Sequence, residues 1–132
     1  MKIIISGKRK TSVARAVLTE GSGKISLNGK DYQSIQMFDR LKLEEPLKIA
    51  KNVLGKIDFD VSINARGGGE KSQIEAARLA LARAINKFAD SKELANAFLS
   101  YDRNLLIADV RRKEACKPGD SKARAKRQSS KR

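Results

Sequence analysis

An alternation of apolar and polar residues between positions 57 and 64 constrains the fold more than any other feature of this sequence. The apolar positions are Ile57, Phe59, Val61 and Ile63, and the polar positions between them are Asp58, Asp60, Ser62 and Asn64. A period of two predicts a β-strand with one buried face and one polar face. No further ligand candidate accompanies the two aspartates, so we interpret them as part of a solvated strand face rather than a metal or acid–base site.

A glycine-rich segment, Arg66-Gly67-Gly68-Gly69-Glu70-Lys71-Ser72, joins this strand to the clearest helix of the sequence. That helix is predicted over residues 72–89, because its apolar residues recur at helical spacing and form one stripe. The stripe consists of Ile74, Ala77, Leu81, Ile85 and Phe88. Arg83 and Lys87 are expected on the opposite side of the helix, and Arg78 at the edge of the stripe.

The order strand, glycine loop, helix is one in which backbone N–H groups gather around phosphate groups. A nucleotide-hydrolysing P-loop needs a glycine before the Lys-Ser pair, but Glu70 precedes Lys71 here, and Ala65 stands where the other required glycine should be. Two interpretations stay open. The glycines allow the chain to turn into the helix, or they let a nucleic-acid backbone approach while Arg66 and Lys71 supply charge.

The rest of the chain predicts further short elements. Strands are expected at residues 3–6, 12–19, 24–27 and 105–110, with Gly7 to Thr11 as a polar connection and Asn28-Gly29 as a hairpin turn. Helices are expected around residues 34–38, over 45–54 with Gly55 as its end, and over 92–100 with Ser91 as N-cap. This order predicts an α+β fold, a single mixed β-sheet with helices packed on it.

Positive charge is concentrated at the end of the chain. The sequence has 29 Lys and Arg against 15 Asp and Glu, a net charge of +14. Residues 111–132 carry +8 of this charge, and the preceding 110 residues carry +6. A second basic cluster lies near the start, at Lys2, Lys8, Arg9, Lys10 and Arg15. Such a balance favours a polyanionic partner such as nucleic acid.

The basic tail has almost no apolar residues to bury, and Pro118-Gly119-Asp120 would interrupt a helix or strand. We therefore expect a globular domain over residues 1–110 and an extended tail over residues 111–132, which orders only against a partner. Composition leaves two functions open for this tail. It is either a solubilising electrostatic arm or a segment that docks into folded nucleic acid.

Several classes of function are disfavoured by composition. The chain has no His and no Trp, so catalysis and metal ligation based on histidine are absent, and we expect no cofactor and no metal site. Aromatic residues make up 5% of the chain, which disfavours an extended base-stacking platform. No apolar run is long enough for a membrane span or a secretory signal. The single cysteine, Cys116, indicates a reducing compartment.

Several short motifs form a specific combination, although each is weak alone. They are Gly7-Lys8-Arg9-Lys10-Thr11-Ser12-Val13-Ala14-Arg15, Asn28-Gly29, Gly67-Gly68-Gly69 with Ser72-Gln73, Ala77-Arg78, Ala82-Arg83-Ala84 and the terminal Ser130-Lys131-Arg132. The combination resembles the ribosomal protein S-nine family, a universal family of the small ribosomal subunit, from about residue 3 to the last residue. Residues 113–127 are more similar to its archaeal and eukaryotic branch than to its bacterial branch.

The resemblance implies an α+β domain with a left-handed β-α-β crossover, like the second domain of ribosomal protein S-five. It implies a structural, non-enzymatic protein in the cytoplasm, in the head of the small ribosomal subunit. Implied partners are ribosomal RNA, the peptidyl-site tRNA and neighbouring ribosomal proteins of the head, with no membrane and no obligate homo-oligomer.

The resemblance also implies which residues bind RNA. Contacts to rRNA are expected from Lys8, Arg9, Lys10, Arg15, Arg66, Gly67, Gly68, Gly69, Lys71, Arg78 and Arg83 in the domain. In the tail they are expected from Arg111, Arg112, Lys113, Lys117, Lys122, Arg124, Lys126 and Arg127. Lys131 and Arg132 are expected to contact tRNA. Family tails commonly carry an aromatic residue shortly before their end, where this chain has Ser129, so phosphate contacts are expected to dominate.

Two other classes of function remain to be compared with this one. A histone-like protein that coats nucleic acid would bind random duplex DNA as well as structured RNA. A small phosphotransferase or nuclease would use the glycine loop with Asp58, Asp60 or Glu70. The missing histidine and the failed P-loop spacing count against that enzyme.

Overall fold

The structure is a computed structural model and describes residues 1–131. Within them, five strands form one mixed sheet, β1 (Lys2–Arg9), β2 (Ser12–Glu20), β3 (Ile25–Leu27), β4 (Lys30–Asp31) and β5 (Phe59–Arg66). Their order across the sheet is β1-β2-β5-β3-β4. Three α-helices accompany the sheet, α1 (Met37–Leu54), α2 (Glu70–Ala89) and α3 (Lys92–Tyr101). The predicted α+β class with a single mixed sheet is confirmed.

Strand β5 lies in the middle of the sheet because it pairs on both sides. It is antiparallel to β2, with Arg15 opposite Asn64, and parallel to β3, with Ser26 opposite Ser62. The parallel pair β3 and β5 is connected through β4 and α1, which is a strand–helix–strand crossover. The left hand of this crossover stays a prediction. The predicted Asn28-Gly29 turn is confirmed, since it connects β3 to the antiparallel β4.

Two sequence predictions about local structure near the start were wrong in their extent. β1 continues through Arg9, so the expected connection is reduced to a tight turn at Lys10 and Thr11. The two helices expected near residues 34–38 and 45–54 are one helix, α1, with Pro46 inside it. That helix continues past the proline because Leu43, Leu47 and Ala50 extend one buried stripe on both sides of it.

Helix α2 lies on the sheet with small side chains at the contact. Ala76, Ala80 and Ala84 in the helix are fully buried, as are Ala14 and Ala16 in β2. Alanines on both sides let the backbones of helix and strand approach closely. The larger residues Leu81, Ile85, Phe59 and Ile63 then fill the remaining core.

The strand expected at residues 105–110 is absent from the described residues. The chain instead makes a 3-10 turn at Arg103–Leu105, which buries Leu105 completely. The carbonyl of Leu106 accepts a hydrogen bond from Arg83 at 2.8 Å, so a side chain takes the place of a strand partner. Arg83 also donates a hydrogen bond to the Ser6 carbonyl of β1, which corrects our expectation that it lies on the side of α2 opposite the apolar stripe. From residue 106 to 131 the chain forms neither helix nor strand.

Candidate nucleic-acid interface

One face of the sheet is covered by helices, and the other faces solvent. The outward residues of the three longest strands, which we call the open face, are Lys2, Ile4, Ser6 and Lys8 in β1, Val13, Arg15, Val17 and Thr19 in β2, and Asp60, Ser62, Asn64 and Arg66 in β5. Five of these twelve side chains are short and polar, four are Lys or Arg, and Ile4, Val13 and Val17 are apolar. Arg15 and Arg66 line a shallow depression together with Val13 and Asn64.

The cations of the open face have no acidic partner in the part of the chain that the structure describes. Within residues 1–131, none of Lys2, Lys8, Arg15 and Arg66 forms an ion pair. The one carboxylate among the outward residues of these strands is Asp60. Its Oδ1 accepts hydrogen bonds from the backbone N–H groups of Ser22, Gly23 and Lys24 at 2.8–2.9 Å.

These backbone bonds, led by that from Lys24, hold the pKa of Asp60 below its ordinary value. The carboxylate therefore shapes the turn between β2 and β3, which corrects our interpretation of it as a merely solvated residue. A carboxylate occupied by the turn competes poorly for the neighbouring cations.

Three of the cations on the helical side for which rRNA contacts are expected are paired within the protein. Arg9 donates to Glu75 at 2.7 Å, and Lys71 contacts both oxygens of the buried Asp39 at 2.9 and 3.0 Å. Arg78 pairs with Glu45 and Asp102. Arg9, Lys71 and Arg78 are thus occupied within the protein, although the family resemblance implies that they contact rRNA. These three cations are therefore less available to a polyanion than the unpaired cations of the open face.

The tip of the β1–β2 hairpin extends the basic surface. Lys8 and Lys10 are exposed there, and Lys10 adopts a left-handed conformation with φ of +53°. Lysine in this region is strained compared with glycine or asparagine, and such strain is often found at functional positions. Next to the tip, Val13 of β2 lies opposite Arg66, which places the hairpin tip and the glycine loop side by side.

The glycine loop packs against this hairpin. Ser12 donates a hydrogen bond to the carbonyl of Gly67 at 2.8 Å. Gly68 has a φ of +59°, and a Cβ there would lie 2.2 Å from the Ser12 oxygen. A turn into α2 against Ser12 therefore accounts for Gly67 and Gly68 without a ligand. Around Gly69, by contrast, a Cβ would meet no atom within 4 Å.

The cations of the basic tail are exposed throughout its described part, which ends at Lys131. They are Arg111, Arg112, Lys113, Lys117, Lys122, Arg124, Lys126, Arg127 and Lys131. Two of them pair locally, Arg111 with Asp109 and Arg124 with Glu114. Arg132, expected to contact tRNA, lies outside the described residues.

Sequence reasoning missed the small polar residues between the cations of the open face. Ser6, Arg15 and Asn64 occupy one row across β1, β2 and β5. The alternation within each strand already indicates an outward side chain at each of these positions. Only the pairing of the strands brings them together.

A small basic α+β protein with unpaired cations on one sheet face and along a tail is typical of proteins that bind a polyanion. Residues 7–132 match the family described as "Ribosomal protein S9/S16". The chain is 48% identical to the small ribosomal subunit protein uS9 of Methanococcus vannielii, over 98% of each chain. It is 45% identical to the uS9 protein of Thermoplasma volcanium, over 97% of this chain and 96% of that one.

The chain therefore belongs to the ribosomal protein S9/S16 family. These relatives are archaeal, which agrees with the branch that the tail resembles. The family consists of structural, non-enzymatic proteins, so the phosphotransferase and nuclease alternatives are excluded.

Proposed function

We propose that this chain is a structural constituent of the small ribosomal subunit in the cytoplasm and that it binds rRNA in the subunit head through its open face and hairpin tip. The observation that carries this proposal is the cluster of unpaired cations on the open face and at the hairpin tip. Arg15, Arg66, Lys8 and Lys10 have no carboxylate partner among the described residues, whereas Arg9 and Arg78 do. Unpaired cations are available to neutralise phosphates and release counterions.

Double-helical RNA fits the open face better than single-stranded RNA does. The outward residues of β1, β2 and β5 include no aromatic side chain on which a base could stack. Ser6 and Asn64, on either side of Arg15, instead offer short hydrogen-bonding groups. The minor groove of A-form RNA is wide and shallow and displays 2′-hydroxyl groups, which such a surface can contact.

The basic tail, residues 111–132, extends this binding beyond the domain of residues 1–110. Its exposed cations would follow rRNA phosphates, and Lys131 and Arg132 would reach the anticodon stem-loop of the peptidyl-site tRNA. Twenty-two extended residues span roughly 70 Å, which is far beyond the surface of the domain. Neighbouring ribosomal proteins of the head are further partners in this arrangement. The glycines 67–69 would lie beside the rRNA backbone, next to Arg66.

The double substitution Arg15→Ala and Arg66→Ala tests the open face. Its control, Lys51→Ala with Lys87→Ala, removes the same charge from exposed positions of α1 and α2. Affinity for a head-domain rRNA fragment is measured against salt concentration. We expect the open-face variant to bind more weakly, with a salt slope lower by about two, or about one for each lost phosphate contact. Equal losses in both double variants would contradict a localised interface.

Deletion of residues 130–132 tests the tail. Small subunits that carry the truncated chain should assemble normally but bind peptidyl-site tRNA more weakly. Normal tRNA affinity, or a failure to sediment with small subunits, would overturn this part of the proposal. Equal affinity of the full-length protein for random duplex DNA and for the rRNA fragment would instead favour histone-like coating.

A further inference from the structure

The segment between α3 and the basic tail is fastened to the domain although it pairs with no strand. We call residues 102–111 the strap. At its start, Asp102 accepts a hydrogen bond from Arg78 at 3.1 Å. Leu105 is then fully buried, and the Leu106 carbonyl bonds to Arg83. Side chains of α2 therefore hold the first half of the strap at fixed points.

Asp109 fastens the second half of the strap. Its carboxylate accepts hydrogen bonds from the backbone N–H of Arg111 at 2.9 Å and from the Arg111 side chain at 2.8–3.2 Å. On its other side, Asp109 Oδ2 lies 3.1 Å from Nη1 of Arg9. Arg9 is itself held by Glu75 of α2. One carboxylate thus connects the first cation of the tail to the end of β1 and, through Arg9, to α2.

The contact between Asp109 and the domain is a largely buried ion pair with Arg9. The side chain of Asp109 is only 15% exposed, and that of Arg9 only 13%. The side-chain hydrogen bonds from Arg111, followed by its backbone bond, hold the pKa of Asp109 far below its usual range. Charge-assisted hydrogen bonds are about twice as strong as neutral ones, so the bonds from Arg111 close a turn at the base of the tail, and the ion pair with Arg9 joins that turn to the domain.

We propose that Asp109 is a positioning residue, which fixes the place and direction in which the basic tail leaves the domain. The proposal rests on the proposed function, because the place where the tail leaves the domain matters only if the tail must reach a distant RNA site. From Arg111 the tail to Lys131 spans 20 residues, or roughly 70 Å when extended. With the strap released beyond Leu106, the free segment grows to 25 residues, or roughly 85 Å. A longer tether with no fixed direction must lose more conformational entropy when its end binds.

The test compares Asp109→Asn with Glu114→Gln. Both substitutions remove one negative charge near the base of the tail, but Glu114 pairs only with Arg124, whose side chain is 87% exposed. In the free protein, hydrogen exchange of amides 107–112 reports the fastening directly. We expect the Arg111 amide of Asp109→Asn to exchange severalfold faster, because the neutral amide oxygen of asparagine is a weaker acceptor than the carboxylate and no longer attracts Arg9. Glu114→Gln should exchange there as the native protein does.

A second measurement concerns function. Small subunits carrying Asp109→Asn should assemble in normal yield but bind peptidyl-site tRNA about fivefold more weakly, since ordering even one more residue on binding costs about 1 kcal/mol. Thermal unfolding of the free variant checks that the domain is intact. Unchanged exchange at residues 107–112 would overturn the proposal. If exchange is faster and deletion of residues 130–132 weakens tRNA binding, an unchanged tRNA affinity of Asp109→Asn would also overturn it. If that deletion has no effect either, the proposed tRNA contact fails, while the exchange result still decides whether Asp109 fastens the tail.

Discussion

Replacing Gly7 by alanine tests how closely α2 lies on the sheet. Gly7 is buried in β1 and faces the helix. A Cβ at this position would lie 2.4 Å from the carbonyl oxygen of Ala76 and 2.7 Å from the backbone nitrogen of Ala80. Both atoms belong to the helix backbone, which cannot move aside as the end of a flexible side chain can.

The cost of Gly7→Ala follows from these two distances. Carbon contacts are most favourable near 3.5–4.0 Å, so α2 must withdraw by roughly 1 Å, and such a gap forfeits about a quarter to a half of each disrupted van der Waals contact. Overpacking of a well-packed core typically costs about 1–3 kcal/mol. Lower entropy of the unfolded chain returns about 0.4–1 kcal/mol of this. We expect the free energy of unfolding to fall by about 1–2 kcal/mol.

Urea unfolding followed by far-UV circular dichroism measures this change. With a slope of about 1–3 kcal/mol per molar urea, the midpoint should fall by about 1 M. Gly69→Ala is the matched control, because its φ is −96° and a Cβ there meets nothing within 4 Å. It should cost at most about 1 kcal/mol, since alanine is a poorer N-cap than glycine. A cost for Gly7→Ala no greater than that for Gly69→Ala would refute the close contact.

Three further outcomes are expected. Lys10→Gly should raise the free energy of unfolding by up to about 1 kcal/mol, because glycine removes the backbone strain of a lysine in the left-handed region, and it should lower the affinity for rRNA. A variant less stable than the native protein in urea would contradict the presence of this strain. Asp60→Asn should destabilise the protein at pH 7. Because the folded pKa of Asp60 is lowered, the contribution of its carboxylate to the free energy of unfolding is complete above about pH 4 and is lost as pH falls through the folded pKa. The difference in stability between Asp60→Asn and the native protein should therefore shrink in acid. A pH-independent difference would contradict this account. Leu105→Ala should cost about 2–5 kcal/mol in thermal or urea unfolding, and a cost under 1 kcal/mol would show that the strap is not packed.

Local periodicity was sufficient to predict much of this fold. The alternation before Asn64 correctly identified Phe59, Val61 and Ile63 as a buried face, and the spacing from Ile74 to Ile85 identified the core side of α2. Both predictions depend only on which face of one element is apolar. The prediction wrongly assigned Gly7 to a connection. A glycine within a strand indicates that another backbone approaches closely. The helix that approaches Gly7 lies about 70 residues further along the sequence, so the local pattern could not reveal it.

The candidate interface could be predicted only in part, because charge alone does not show which cations are paired. Arg9 and Arg15 are both basic residues near the start, yet Arg9 contacts Glu75, which lies 66 residues away, and Arg15 contacts no carboxylate within residues 1–131. The adjacency of Arg15 and Asn64 likewise depends on the register between β2 and β5. Such long-range pairing is a property of the assembled sheet.

The central position of β5 has a consequence for how this protein is made. β1 with β2, and β3 with β4, are local hairpins, and β5, the last of these strands to be synthesised, is the strand that joins them. An isolated hairpin is marginally stable at best in water. Until β5 and α2 have emerged, both hairpins keep an unpaired edge and an uncovered apolar face. We therefore expect the domain to fold late in translation and in one cooperative step, so that the first half of the chain stays unfolded until β5 has been synthesised.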